Sequence, residues 1–180
     1  MPPFVSIIVP CYNEEKTIRH LLDSILAQTY ARERMELIIS DGLSTDRTRE
    51  VIAAFQNEHA DLAVRLFENS ARTIPSGLNQ AIRQSRGEII IRLDAHSMPI
   101  PEYVERCVLA HQSGKGDNVG GVWEIRAGAE TWVAESISFA SAHPLGVGDA
   151  MYRLAEGSRA KAGAVDTVPF GSFRRVLIDR

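Results

Sequence analysis

Residues Val5 to Val9 are almost wholly apolar and β-branched, with Ser6 the one polar position. Such a run predicts a strand buried on both faces of a parallel sheet, which Pro10 is expected to end. From Glu14 to Gln28 the apolar period lengthens, and Ile18, Leu21, Leu22, Ile25 and Leu26 fall on one helical face. Leu37 to Ile39 predicts a second strand, broken at Asp41-Gly42. Ser44 or Thr45 then stands where it can cap a helix carrying Val51, Ile52 and Phe55. Leu62 to Phe67 predicts a third strand, and Ile74 to Gln84 a helix with Leu78 and Ile82 inward. Glu88 to Leu93, entered through Gly87, predicts a fourth strand that runs straight into Asp94-Ala95-His96. Repeated strand-helix alternation points to an α/β fold with an open, mostly parallel sheet and helices on both faces.

Beyond Pro99 and Pro101 the pattern predicts a helix from Glu102 to Gln112, a Gly-rich turn from Gly114 to Asn118, a strand from Val119 to Ile125 and a helix from Glu130 to Ala142. The Gly-rich stretch from His143 to Gly163 reads as a long loop. Val165 to Phe170 is expected to return as a strand, and the residues before Arg180 to open a helix.

Composition narrows the class. The 180 residues are 44% hydrophobic and 24% charged, enough for one core and, by expectation, a single domain over residues 1–180. Twenty basic and twenty-three acidic side chains give a net charge of -3 without long runs of either sign, which argues against a nucleic-acid partner. Cys11 and Cys107 have no ligand spacing and read as reduced thiols of a cytoplasmic protein. No apolar run approaches the roughly 20 residues of a membrane-spanning helix, and no signal peptide is expected. Peripheral association with the cytoplasmic face of an inner membrane stays open.

The polar residues at the predicted strand ends carry the chemistry: Tyr12, Asn13 and Glu14 after the first, Asp41 after the second, Asp94 and His96 after the fourth, with Arg72 ahead of the third helix. Ligands of open α/β sheets bind outside these carboxyl ends. A nucleotide base offers a π face for Tyr12 and a ring N–H for Asp41. Ribose hydroxyls suit Glu14 or Asp94, and a diphosphate needs Arg72, a helix amino terminus or a metal ion. Asp94 and His96 are spaced to act on one divalent cation, Mg²⁺ by the carboxylate or Mn²⁺ with the imidazole added. An ordinary loop histidine is the competing reading of His96. Asp46 reads as a helix cap, and Asp41-Gly42 is equally a common turn.

Four motifs in order, Val5-Ser-Ile-Ile-Val-Pro-Cys-Tyr-Asn-Glu-Glu15, Asp41-Gly-Leu-Ser-Thr-Asp-Arg-Thr48, Ala71-Arg72 and Arg86-Gly-Glu-Ile-Ile-Ile-Arg-Leu-Asp94, resemble family 2 glycosyltransferases of the GT-A fold. Asn69-Ser-Ala-Arg-Thr-Ile-Pro75, the Asp-Ala-His variant and Val165 to Arg175 look most like bacterial succinoglycan-type exopolysaccharide glucosyltransferases. The resemblance implies a Rossmann-like domain and an inverting transfer from a UDP-sugar, UDP-glucose by expectation, to a saccharide or lipid-linked saccharide in polysaccharide synthesis. By position, Pro10, Tyr12 and Asp41 would hold the uracil, Glu14 the ribose, Arg72 the uracil or diphosphate, and Asp94 ribose or metal. Family members usually carry a second aspartate where His96 stands.

The family's catalytic base lies in an acidic motif downstream of the segment resembling Phe170 to Arg175. The base is therefore expected beyond Arg180, in a domain truncated on its acceptor side; Asp166 and Asp179 are the nearby carboxylates. A binding domain without activity is the alternative, as is a nucleotidyltransferase. The absence of a Gly-rich, Lys-bearing phosphate loop weighs against the latter, and the absence of G-x-G-x-x-G after Val9 weighs against NAD.

Overall fold

The computed structural model describes residues 1–147, 151–153, 163–165 and 167–178. The backbone groups into two compact units, residues 1–119 with 170–180, and residues 120–169.

The first unit holds a six-stranded sheet. Its strands are β1 (Val5–Cys11), β2 (Met35–Asp41), β3 (Ala63–Glu68), β4 (Ile89–Arg92), β5 (Asn118–Val119) and β6 (Ser172–Arg174). The order is β3-β2-β1-β4-β6-β5. Neighbours among β1 to β4 run parallel, with Val5 opposite both Met35 and Ile89, while β6 lies antiparallel to β4 and β5. The helices are α1 (Ile18–Leu26), α2 (Thr48–Glu58), α3 (Ile74–Gln84) and α4 (Tyr103–Gln112).

Alternation along the strands sends side chains to two cores. Val5, Ile7, Val9, Leu37, Ile39, Ile89 and Ile91 pack with Ile18, Leu21, Leu22 and Ile25 of α1, Ile52 and Phe55 of α2 and Val104 and Val108 of α4. On the opposite face Ile8, Ile38 and Ile90 meet Ala81 of α3, with Leu78, Ile82 and Phe67 packed against them. Both faces are covered, which is why the strands read as unbroken apolar runs rather than alternating ones.

Several boundaries differ from the sequence expectation for identifiable reasons. Pro10 does not end β1: the strand runs on to Cys11. The Ile8 carbonyl accepts from the Leu93 amide on the β4 side, and β4 ends at Arg92 opposite Ile8. Pro10 faces the same side one step further on, where a missing N–H costs no ladder bond. Neither Ser44 nor Thr45 caps α2. Ser44 Oγ is engaged with Asp41 and the Asn13 amide, and the Thr48 amide instead donates to Asp46 Oδ1 at 3.0 Å. The reading of Asp46 as a cap therefore holds.

The expected strand from Val119 to Ile125 stops at Val119, where its pairing with Ser172 of β6 ends. The returning strand starts at Ser172 rather than Val165, after a turn in which Phe170 has φ 48°. Arg175–Leu177 closes as a single 3₁₀ turn in place of a helix. Asp166 and Asp179 lie outside the described residues.

The amino edge of the sheet is held by one buried carboxylate. Glu36 has no exposed surface. It accepts from Ser6 Oγ at 2.6 Å, the Arg86 amide at 2.7 Å and Arg65 Nη2 at 2.8 Å. Gly87 completes the corner. A Cβ there would stand 2.4 Å from the Ser6 nitrogen, so only glycine fits. The Arg86-Gly87 pair is thus a structural joint.

In the second unit α5 (Trp132–Ala142), capped by Thr131 through the Ala134 amide, is followed by the short α6 (Pro144–Val147). Trp123 and Tyr152 pack edge to face, and Ser138 Oγ donates to the Ile125 carbonyl. Trp132, Ile137 and Phe139 are exposed.

Candidate functional site

Four loops leave the carboxyl ends of the parallel strands, and between β1 and β4 the chain reverses its direction of travel across the sheet. A crevice opens at such a switch point. Here it is a cleft of about 170 Å³ lined by Pro10, Cys11, Tyr12, Glu14, Gly42, Asn69, Arg72, Thr73, Ile74, Asp94, Ala95 and His96. Six of the seven residues given a ligand contact from the sequence, Pro10, Tyr12, Glu14, Arg72, Asp94 and His96, meet in it. They are up to 86 positions apart in the chain.

The seventh, Asp41, lies beneath the cleft rather than on its wall. Its side chain is buried, and its carboxylate accepts from Ser44 Oγ, the Ser44 amide and Arg49 Nε. Arg49 continues to Glu68 at 2.9 Å. Tyr12 is half exposed and presents its ring to the cleft beside Gly42, whose missing side chain leaves 3.4 Å from an ideal Cβ to the Tyr12 ring.

Glu14 and His96 approach each other across the cleft. His96 Nδ1 lies 3.2 Å from Glu14 Oε1, and Glu14 Oε2 accepts from the Thr17 hydroxyl. Asp94 Oδ1 accepts from Arg92 Nη2 at 3.1 Å, and Oδ2 has no partner among the described residues. On the far wall Arg72, held at φ 54° by a turn in which its amide donates to the Asn69 carbonyl, precedes the amino end of α3. Thr73 caps that helix through the Ser76 amide. A guanidinium and a helix amino terminus side by side make a site for an anion.

The first two loops are stitched to each other. The Asn13 amide donates to Ser44 Oγ and the Thr45 amide returns to Asn13 Oδ1; the Glu14 amide donates to Thr48 Oγ1; the Glu15 amide donates to Asp46 Oδ2 and the Arg47 amide to Glu15 Oε2. Asn13 and Leu43 take φ of 53° and 62°. Left-handed backbone at non-glycine residues persists where surrounding contacts over-determine it.

Cys11 contributes only shape. Burial, reinforced by the negative charge of Asp41, pushes its thiol up to about 12, so it holds no thiolate at neutral pH.

Among the described residues no three His, Cys, Asp or Glu side chains gather into a metal cage. The cleft offers two carboxylates, Glu14 and Asp94, and one imidazole, His96; both Glu14 oxygens are engaged by His96 and Thr17, which leaves Asp94 and His96 as the candidate ligands. Mg²⁺ or Mn²⁺ shared with substrate phosphates needs only one or two protein ligands. The donor set therefore fits a cation brought with a diphosphate and does not fit one held by protein alone.

Sequence reasoning passed over Arg92 and Asn69 as individual residues. Both obey rules it applied elsewhere: Asn69 follows a strand end, and Arg92 stands two positions before Asp94 on the same strand face.

A mostly parallel six-stranded sheet flanked by helices, with a cleft at its switch point, defines a GT-A-like fold. The sequence profile of glycosyl transferase family 2 matches residues 6–177, and the chain belongs to that family. It is 31% identical over 180 residues to the dolichyl N-acetyl-α-D-glucosaminyl phosphate 3-β-D-2,3-diacetamido-2,3-dideoxy-β-D-glucuronosyltransferase of Methanococcus voltae, covering 97% of this chain and 54% of that protein. It is 34% identical over 119 residues to glycosyltransferase AglE of Haloferax volcanii, covering 66% of this chain and 39% of the relative. Among solved structures, the mannosyltransferase PcManGT from Pyrobaculum calidifontis, in complex with GDP-Man and Mn²⁺, superposes with a TM-score of 0.75 at 26% identity. That match covers 100% of this chain and 47% of the other. Residues 1–349 of S. aureus TarS in complex with UDP share the fold, with a TM-score of 0.67 at 20% identity over 98% of this chain and 48% of that one. The chain thus spans about half the length of the relatives it matches.

Proposed function

We propose that the cleft binds a UDP-sugar with a divalent cation, and that the protein transfers the sugar with inversion to a saccharide or lipid-linked saccharide. The observation that carries this reading is the meeting of Pro10, Tyr12, Glu14, Arg72, Asp94 and His96 from three separate loops in one cleft. Tyr12 and Pro10 would flank the base. Asp41 would take its ring N–H once Ser44 yields. Arg72 and the amino end of α3 would face the diphosphate. Asp94, with His96, would hold the cation, which supplies Lewis-acid stabilisation of the departing diphosphate.

In the transfer the acceptor oxygen forms the new bond to the anomeric carbon as the bond to the UDP oxygen breaks, and the hydroxyl proton passes to a base. That base is not assigned among the described residues. Donor identity leans on the family resemblance to exopolysaccharide glucosyltransferases. The Methanococcus voltae relative, named for a dolichyl-linked sugar, supports a lipid-linked acceptor, and with it work at a membrane surface. No described helix is long and apolar enough to cross a membrane.

Calorimetric titration with UDP, GDP and ADP, each with and without Mn²⁺, tests the reading. UDP is expected to bind best and to need the metal. Asp94→Ala is expected to weaken metal-dependent UDP binding by at least about tenfold, in line with loss of a metal ligand. Unchanged affinity in that variant removes Asp94 from the site, and a preference for GDP transfers the reading to a guanosine-linked donor.

A further inference from the structure

Glu14 is the one carboxylate of the cleft whose two oxygens are both engaged by side chains of the protein: Oε1 with His96 Nδ1 at 3.2 Å and Oε2 with the Thr17 hydroxyl. Its backbone is fixed as well. The Glu14 amide donates to Thr48 Oγ1 at 2.8 Å, and its carbonyl receives the Thr17 and Ile18 amides at the start of α1. A side chain so tied has little freedom to swing out to a sugar hydroxyl. Its partner is the opposite case: the His96 side chain is 61% exposed, and among the described residues no other hydrogen bond or ion pair holds its ring.

A carboxylate only accepts, so at neutral His96 the shared proton sits on Nδ1 and Nε2 is left as a bare lone pair. Metal-binding imidazoles are commonly oriented by such a carboxylate on the other ring nitrogen, which fixes the tautomer and raises the basicity of the ligating nitrogen. From this geometry we infer that Glu14 is a positioning residue for His96. It holds the imidazole with Nε2 bare in the cleft that Asp94 also lines, so that the donor's cation would meet a carboxylate and an imidazole instead of two carboxylates. The inference rests on the reading of the cleft as a donor site, and it replaces a ribose contact as the task of Glu14. Its chemical consequence is a preference for Mn²⁺ over Mg²⁺, because an imidazole nitrogen favours the later metal.

Two measurements separate the inference from the reading beneath it. The first needs no ligand: ¹⁵N-edited NMR of the histidine ring, about two units above the ordinary imidazole pKa. It is expected to show His96 as the Nδ1–H tautomer in the unmodified protein. In Glu14→Ala a mixture richer in Nε2–H is expected, and in Glu14→Gln, whose amide oxygen still accepts, recovery of Nδ1–H. A dominant Nε2–H form in the unmodified protein overturns the inference.

The second is Mn²⁺ and Mg²⁺ affinity in the presence of UDP, read by electron paramagnetic resonance of free Mn²⁺ and its displacement. Glu14→Ala is expected to weaken Mn²⁺ by roughly 10- to 100-fold, the usual effect of removing such an orienting group. Mg²⁺ should weaken less, and Glu14→Gln should recover most of the Mn²⁺ loss. Equal loss for both metals, or loss of UDP affinity without metal, returns Glu14 to a ribose contact and overturns the inference. If the unmodified protein binds neither UDP nor Mn²⁺ while His96 is the Nδ1–H tautomer, the reading of the cleft fails and the Glu14–His96 pair stands as a structural contact only.

Discussion

Glu36 has no exposed surface, yet it sits among three positive or donating neighbours at the amino edge of the sheet. Burial alone would raise its pKa. The hydrogen bonds from Ser6 and the Arg86 amide, with the charges of Arg65 and Arg86, outweigh burial and hold the carboxyl below its ordinary value of 4.5. The stability it contributes is therefore present above pH 4.5 and lost as the pH falls through the folded value. Glu36→Ala leaves two arginines and a hydroxyl facing a void, and is expected to cost about 2–4 kcal/mol in urea unfolding, less than a fully enclosed pair because the arginines are partly solvated. A cost below about 0.5 kcal/mol shows that the network is ornamental. At the other end of the same sheet Asp94 has one oxygen without a partner among the described residues, an arrangement that adds nothing to stability.

Where α4 meets β6, His111 Nε2 lies 3.1 Å from the Ser172 carbonyl, which places a proton on Nε2. Burial lowers its pKa below 6.5, and the hydrogen bond to Ser172 only partly opposes this. As the pH falls through 6.5 the unfolded chain takes a proton that the folded one refuses, so stability drops on acidification. His111→Gln is expected to flatten the slope of unfolding free energy between about pH 7 and 5; an unchanged slope places the titrating group elsewhere. Gly87→Ala, by contrast, is expected to destabilise at all pH values by at least about 2 kcal/mol, because the added carbon meets backbone rather than a movable side chain. A well-folded Gly87→Ala protein with an unchanged urea midpoint refutes that packing argument.

Helix α3 was legible to the residue, since Thr73 and Pro75 mark its start and its apolar spacing is regular. β1 is longer than the sequence predicts, because proline reads as a strand breaker and nothing in the sequence tells where the neighbouring strand stops. The antiparallel strands differ from the expectation because strands of two and three residues carry too little period to register. In the site, strand-end polar residues were readable from the switch-point rule, whereas the burial of Asp41 under Ser44 and Arg49 is a matter of side-chain packing that no spacing encodes.

At the scale of the whole molecule, binding at one edge of a sheet is linked to the stability of all of it. Any ligand that prefers the folded state raises its melting point by mass action. With UDP and Mn²⁺ at about a hundred times the dissociation constant, the gain is about 2.7 kcal/mol, or roughly 5–10 °C for a chain this long. Tyr12→Ala is expected to shrink that shift without changing the unliganded melting point, as its ring is half exposed; a fall in the unliganded value instead marks Tyr12 as a packing residue. The stitching of Asn13 to Ser44 and Thr45, of Glu14 to Thr48, and of Glu15 to Asp46 and Arg47 makes the first two loops one inheritable unit. A chimera given one of these loops from a relative receives half of a lock, and donor preference will move between proteins only when residues 12–15 and 44–48 travel together.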